Sequence, residues 1–105
     1  MSERLTIVDF APHCHTRFRV AQMENYELEL TEVNDHSSAQ LEQFSLIFTG
    51  IPSPWLQQGL YKLVHPQMQE CELFLVPIGP DEAGMRYEAA FSRFINKASA
   101  LPGSP

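Results

Sequence analysis

The feature that most constrains this chain is a period of two in its apolar residues, which sets in at Arg17 and recurs between turn signals almost to the C-terminus. Phe18 and Val20 alternate with Arg17 and Arg19, and Tyr26, Leu28 and Leu30 alternate with Glu27, Glu29 and Thr31. Successive side chains of a strand point to opposite faces, so this pattern describes a wall with one dry side and one wet side. The rhythm returns in "FSLIFTG" (44–50), where Phe44, Leu46 and Phe48 share a face and Ile47 on the other argues for partial cover there. It returns again in "LYKLV" (60–64), "CELFLV" (71–76) and "MRYEAAF" (85–91), which makes six strands.

What lies between the strands reads as connection. Met23 to Asn25 is a hairpin turn, since Asn tolerates positive φ. "NDHSSAQLEQ" (34–43) is a surface loop, and "HPQMQE" (65–70) is a turn. "IPSPWLQQG" (51–59) holds two prolines two residues apart, which forbids a central strand. "PIGPDEAG" (77–84) reads as a loop stiffened by Pro77 and Pro80, in which Gly79 and Gly84 supply backbone angles that other residues avoid. Near the start, Thr6 with Asp9 has the spacing of a capping box, so a short helix is expected. Leu5 would staple it, Ile7 and Phe10 would share a face, and Pro12 discourages continuation; a strand is the runner-up. Past Phe91 helical and strand spacings compete, and we expect strand to about Phe91, a helical turn to about Ala98 and a frayed tail.

These readings predict a mainly β fold: a six-stranded antiparallel meander curled into a small barrel or sandwich, with the N-terminal helix plugging one open end. The barrel is preferred because closure removes bare edges. At 105 residues one domain suffices, spanning 1–98, with 99–105 a flexible tail.

The charge balance excludes some partners. The net charge is −6 and the seven Lys and Arg are scattered, so no basic stripe exists for nucleic acid or an anionic membrane. No apolar stretch approaches the length of a membrane span, and "MSERLTIVDF" lacks the apolar stretch of a signal peptide, which points to the cytoplasm. Cys14 and Cys71 are accordingly expected as reduced thiols.

Chemistry finds little purchase. "PHCHTR" invites a metal reading, but neighbouring residues of an extended chain diverge, so only His13 and His15 could converge. Further ligands from His36, His65 or Cys71 follow no spacing rule, and neither metal nor cofactor is expected. Ser45 sits mid-strand, neither cysteine has a nucleophile's setting, and Glu27 and Glu29 read as a wet sheet face. The glycines of "PIGPDEAG" precede a strand where phosphate binding needs a helix. Two candidate sites remain. One is a partner-binding surface of Trp55, Leu56, Asp81 and Glu82. Trp55 is favoured as folded over the sheet, with exposure as an anchor the other reading, and with Ile51, Leu56 and Leu60 it would form an apolar patch if uncovered. The other is a pocket lined by Tyr61, His65 and Tyr87, which would suit a small-ligand-binding barrel or an uncharacterised enzyme.

Over residues 5–92 the segments "LTIVDFAPHCHTRFRV", "FSLIFTG", "GLYKLVHP" and "CELFLVPIGPDEAGMRYEAAF" resemble a family of small bacterial proteins of about a hundred residues, catalogued as a domain of unknown function. The shared motifs are Tyr-x-Leu-x-His-Pro at Tyr61–Pro66, Phe-Leu-Val-Pro-x-Gly from Phe74 and Tyr-Glu-Ala-x-Phe from Tyr87. Where the family is expected to carry glycine near its first strand, this chain has Cys14 and His15. The resemblance brings no catalytic residues. It implies an association with phage-tail-collar-like or fibre-like proteins. The lack of a chemical motif, together with loops bearing Trp55 and the acidic tip at Asp81 and Glu82, leads us to expect a non-enzymatic domain that works through protein contacts, with the resemblance suggesting an accessory or structural part of a phage-derived or tail-like assembly. A homo-oligomer is compatible with this.

Overall fold

The computed structural model of this chain describes residues 7–94. Six antiparallel strands close into a barrel behind a short helix, as the alternation predicts: α1 (Ile7–Phe10), a 3-10 turn (Ala11–His13), β1 (Arg17–Val20), β2 (Glu27–Asp35), β3 (Leu41–Gly50), β4 (Gly59–His65), β5 (Met68–Asp81) and β6 (Gly84–Phe94). Around the barrel the strands run β1-β2-β3-β6-β5-β4, with β4 returning to β1. The single meander is thus resolved into two three-stranded ones, β1 to β3 and β4 to β6, sewn together by the pairs β3–β6 and β1–β4. The proline-rich stretch 51–58 explains the order. Its two prolines keep it from continuing as a strand, and through it the chain crosses the barrel end and begins β4 beside β1.

The inward residues are those of the alternation. Phe18, Val20, Leu28, Leu30, Phe44, Leu46, Phe48, Leu63, Leu73, Leu75, Tyr87 and Ala89 are buried together. Phe44 and Phe91 face each other across β3 and β6 and stack with ring centroids 4.4 Å apart, and Phe10 of α1 closes on them at 6.5 and 5.9 Å. The short helix is therefore the expected plug, and Phe10 is its buried residue. On the outer side of β3, Ser45 and Ile47 are buried as well, so this strand does have the partial outside cover that Ile47 suggested. A bulge at Thr31 of β2 sits beside them, its hydroxyl donating to the Ile47 carbonyl at 3.1 Å.

Apart from β2, which starts one residue late at Glu27, strand ends depart from the sequence reading toward longer strands and shorter connections. β2 runs to Asp35 and β3 starts at Leu41, which cuts the expected loop 34–43. β5 continues through Pro77 and Pro80 to Asp81, leaving Glu82 and Ala83 as the turn where an eight-residue loop was expected. β5 bends between two neighbours, pairing with β4 over Met68–Leu75 and with β6 over Val76–Asp81. Past Leu75 it has β6 on one side only, so a proline whose missing N–H would face the other way removes no ladder bond, and a bulge between Pro77 and Gly79 absorbs the rest. β6 also extends beyond the expected end at Phe91, to Phe94; the expected helical turn to Ala98 and the tail 99–105 lie outside the described residues. Among the described residues no helix is long and apolar enough to cross a membrane.

Candidate functional site

The barrel has two chemically different ends. At the plugged end, His65 is the last residue of β4, points inward and is 5% exposed. The Gln67 amide N–H donates to its Nδ1 at 3.0 Å, so the neutral ring carries its proton on Nε2 and gives it to Thr16 Oγ1 at 2.9 Å. The Thr16 hydroxyl in turn donates to the His13 carbonyl at 2.5 Å. The His65 ring lies 4.6 Å from both the His13 and Phe18 rings, and burial, reinforced by His13, pushes its pKa down. A hydroxyl beside an imidazole resembles a nucleophile with its base, but the polarity is reversed: the imidazole donates and the hydroxyl proton is already committed to a carbonyl. This is a buried polar group with its partners satisfied.

His13 and His15, the pair expected to be able to converge, are sent apart. His15 takes φ 72°, its amide bonds the Leu30 carbonyl, and its Nδ1 lies 3.8 Å from Glu29 on the outside. His13 packs inward on His65. Cys14 and Cys71 are both free thiols, and burial raises the Cys71 pKa to about 11.

The opposite end is built by the β1–β2 turn, the 51–58 crossover and the β5–β6 turn. All three tyrosines of the chain hold the crossover by its backbone. Leu56 N–H donates to Tyr87 Oη at 2.7 Å, the Tyr87 and Tyr26 phenols are hydrogen-bonded, and Tyr26 donates to the Pro54 carbonyl at 2.5 Å. Tyr61 donates to the Gln57 carbonyl at 2.7 Å. Burial above all, with the Tyr87 bond next, drives the Tyr26 pKa far above the usual phenol range. This relay fixes Pro54 and Leu56 on either side of Trp55. Leu56 is driven into the core at 4% exposure, while Trp55 stands 49% exposed. The favoured reading of Trp55 as folded over the sheet is therefore half right about the loop and wrong about the residue: the side chain that folds down is its neighbour. In an extended segment adjacent side chains diverge, and the smaller Leu56 fills the barrel mouth.

Beside the crossover, on the outer face of β2, lies an open groove of about 360 Å³ lined by Arg17, Glu27, Glu29, Ile51, Pro52 and Ala83, among others. Glu27 and Glu29, read from the sequence as a wet face, form part of its wall, with Arg17 Nη1 3.6 Å from Glu27. Asp81 turns out to be occupied. Its Oδ1 accepts the Ala83 and Gly84 amides at 2.8 and 3.2 Å and its Oδ2 lies 3.7 Å from Arg86 Nε, so it shapes the turn while Glu82 projects at the tip.

Of the two sets expected from sequence, Trp55, Leu56, Asp81 and Glu82 all lie at the crossover end, but Leu56 is buried in the core and Asp81 is taken up by its own turn, which leaves Trp55 and Glu82 on the surface there. The Tyr61, His65 and Tyr87 set does not assemble. Tyr61 and Tyr87 grip the crossover, whereas His65 lies four residues farther along β4, about 13 Å away at strand rise, in the other network. The tyrosine grip was missed. Its only signal was that Tyr26 opens a strand and that Tyr61 and Tyr87 fall on apolar faces, which reads equally well as core.

A family model described as a domain of unknown function (DUF6916) matches residues 5–91. No curated protein and no solved structure matches the chain.

Proposed function

The chain belongs to the DUF6916 family, and we propose that it is a non-enzymatic domain that works through protein contacts, with Trp55 as the anchor of its binding surface. One observation carries this reading: Trp55 is half exposed while both flanking residues are held by buried tyrosine hydroxyls. A large aromatic presented on a pinned backbone loses little freedom on binding, which is what makes such residues dominant in interfaces. Exposed Ile51 adds apolar surface on the same crossover, and Glu82 supplies a charged rim. For the setting we take a bacterial, phage-derived or tail-like assembly, the association the family resemblance brings, and the cytoplasm, from the lack of a signal-peptide pattern in "MSERLTIVDF".

The ligand-barrel alternative draws no support from the interior, where the barrel lumen is filled by buried aromatic and aliphatic side chains. An enzymatic reading draws none from His65, whose two nitrogens are both engaged.

The test is a photo-crosslinking residue placed at Trp55 in the native host, followed by identification of the captured protein and titration of that protein against wild type and Trp55→Ala. We expect one stoichiometric partner, a blue shift of the single tryptophan's emission on binding, and at least about tenfold weaker binding by the variant. Equal affinity of wild type and variant would remove Trp55 from the surface. A captured partner encoded beside tail or fibre genes would support the assembly named, and one from unrelated metabolism would discard it.

A further inference from the structure

The outer faces of β4 and β5 carry a pattern that the Trp55 surface does not use. Side chains of opposite residues in an antiparallel pair stand side by side, and here Leu60 is opposite Phe74 and Lys62 is opposite Glu72. Both members of the first rung are exposed, Leu60 at 56% and Phe74 at 50%. They point away from the lumen, since Leu73 and Leu75 on either side of Phe74 are buried, as is Leu63, which has the opposite parity to Leu60 on β4. An outward Leu beside an outward Phe on a β wall is a poor monomer surface, and among the described residues nothing covers them.

The occupant is indicated by symmetry. A two-fold axis parallel to the strands lays β4 of one copy over β5 of the other, rung on rung, and an isologous contact requires each residue to suit its column partner. The two columns suit each other at both rungs: apolar on apolar for Leu60 and Phe74, cation on anion for Lys62 and Glu72. Lys62 lies 3.7 Å from Glu70 on the same face, so each copy brings one cation and two carboxylates, Glu70 and Glu72, to the contact. The net charge of −6 opposes association. Charges more than about 8 Å apart are screened at physiological salt, however, which leaves the facing pairs to decide the outcome. Two short strands make a footprint at the small end of specific interfaces, so the complex is a weak one.

We infer that the outer face of β4 and β5 is a self-association surface, on which a second copy of this chain docks with Leu60 against Phe74 and Lys62 against Glu72. This is independent of the reading of Trp55.

Sedimentation equilibrium of the full chain tests it. Wild type should approach twice the monomer mass as concentration rises from about 1 to about 300 μM, the range of a micromolar dimer. Lys62→Glu makes the face wholly acidic and Glu72→Lys adds a second cation beside Lys62. Each alone should weaken dimerisation by about tenfold or more, and an equal mixture of the two should regain it because each face then meets its complement. Phe74→Ser, with an unchanged far-ultraviolet spectrum to show that it folds, should be monomeric throughout. A wild type that stays monomeric at the highest concentration overturns the proposal. So does a dimer that survives Phe74→Ser, or a mixture that fails to regain what its components lost.

Discussion

At the scale of single residues, the buried imidazole sets a pH dependence whose sign can be worked out. Burial, with His13 behind it, holds the His65 pKa below 6.5 in the folded protein, so the unfolded chain takes up a proton first as pH falls. The stabilisation is complete above pH 6.5 and is lost as the pH drops from there through the folded value. Melting temperature measured from pH 7.5 to 5 should fall in wild type and fall less steeply in His65→Gln, after the acid loss common to both is subtracted. Parallel curves would show that another group titrates. Two glycines give a matched pair. A Cβ on Gly84, which takes φ 146°, would stand 2.0 Å from the Gly50 carbonyl oxygen, whereas one on Gly79, at φ 110°, meets nothing within 4 Å. Gly79→Ala therefore carries backbone strain alone, on the order of 1–2 kcal/mol. Gly84→Ala adds a clash with backbone that cannot yield and should cost more, about 3 kcal/mol or above, in urea unfolding. Equal losses would mean that the close approach of β6 to Gly50 relaxes at little cost.

At the scale of elements, the crossover 51–58 is the segment that decides both topology and surface, and its tyrosines contribute unequally. Tyr87→Phe leaves the buried Leu56 N–H without its acceptor and breaks the relay to Tyr26, so a loss of about 1–3 kcal/mol is expected. Tyr61→Phe removes a bond at an exposed position, where water takes its place, and should cost under about 1 kcal/mol. Amide hydrogen exchange at Leu56 should accelerate strongly in the first variant and little in the second. Similar acceleration in both would mean that the loop is held by packing. This element also shows where sequence reading stopped. Alternation is a local property, so all six strands were legible, down to the outside cover at Ile47. Prolines at 52 and 54 correctly broke the pattern. What no local signal carries is a hydrogen bond from Tyr26 to Pro54 across 28 positions or from Leu56 to Tyr87 across 31, and those bonds turn Trp55 outward and Leu56 inward. Trp55 and the 81–82 tip were legible as loop residues, and of the two readings of Trp55 the exposed one is observed. The candidate pocket does not assemble because Tyr61 and His65 lie toward opposite ends of β4, and Tyr87 of β6 joins the Tyr61 end. β5 was cut short for a related reason: Pro77 and Pro80 read as loop until the strand order shows that this stretch has only one neighbour.

At the scale of the molecule, closure makes the two ends one mechanical object although their chemistry is separate. Every strand has two neighbours, and β3, which joins the ends, pairs with β6 along its whole length from Leu41 to Gly50. A disturbance at the plug should therefore be felt at the crossover through the cooperativity of the barrel. Phe10 is fully buried against Phe44 and Phe91, and Phe10→Ala empties the space beneath α1, a change expected to cost about 3–5 kcal/mol. The single tryptophan sits at the other end and reports on it alone. Urea unfolding of this variant, followed by far-ultraviolet dichroism for the whole sheet and by Trp55 emission for the crossover, should give two curves that coincide and shift together to lower denaturant. If the tryptophan curve stayed at its wild-type midpoint while the dichroism moved, the crossover and its tyrosines would form a unit that holds without the plug. The presentation of Trp55 would then owe nothing to the plugged end and would rest on the strand ends that carry Tyr26, Tyr61 and Tyr87. Coincident curves place the hold on Trp55 in the cooperative fold as a whole, so that a large core mutation would loosen the crossover without touching the residues around it.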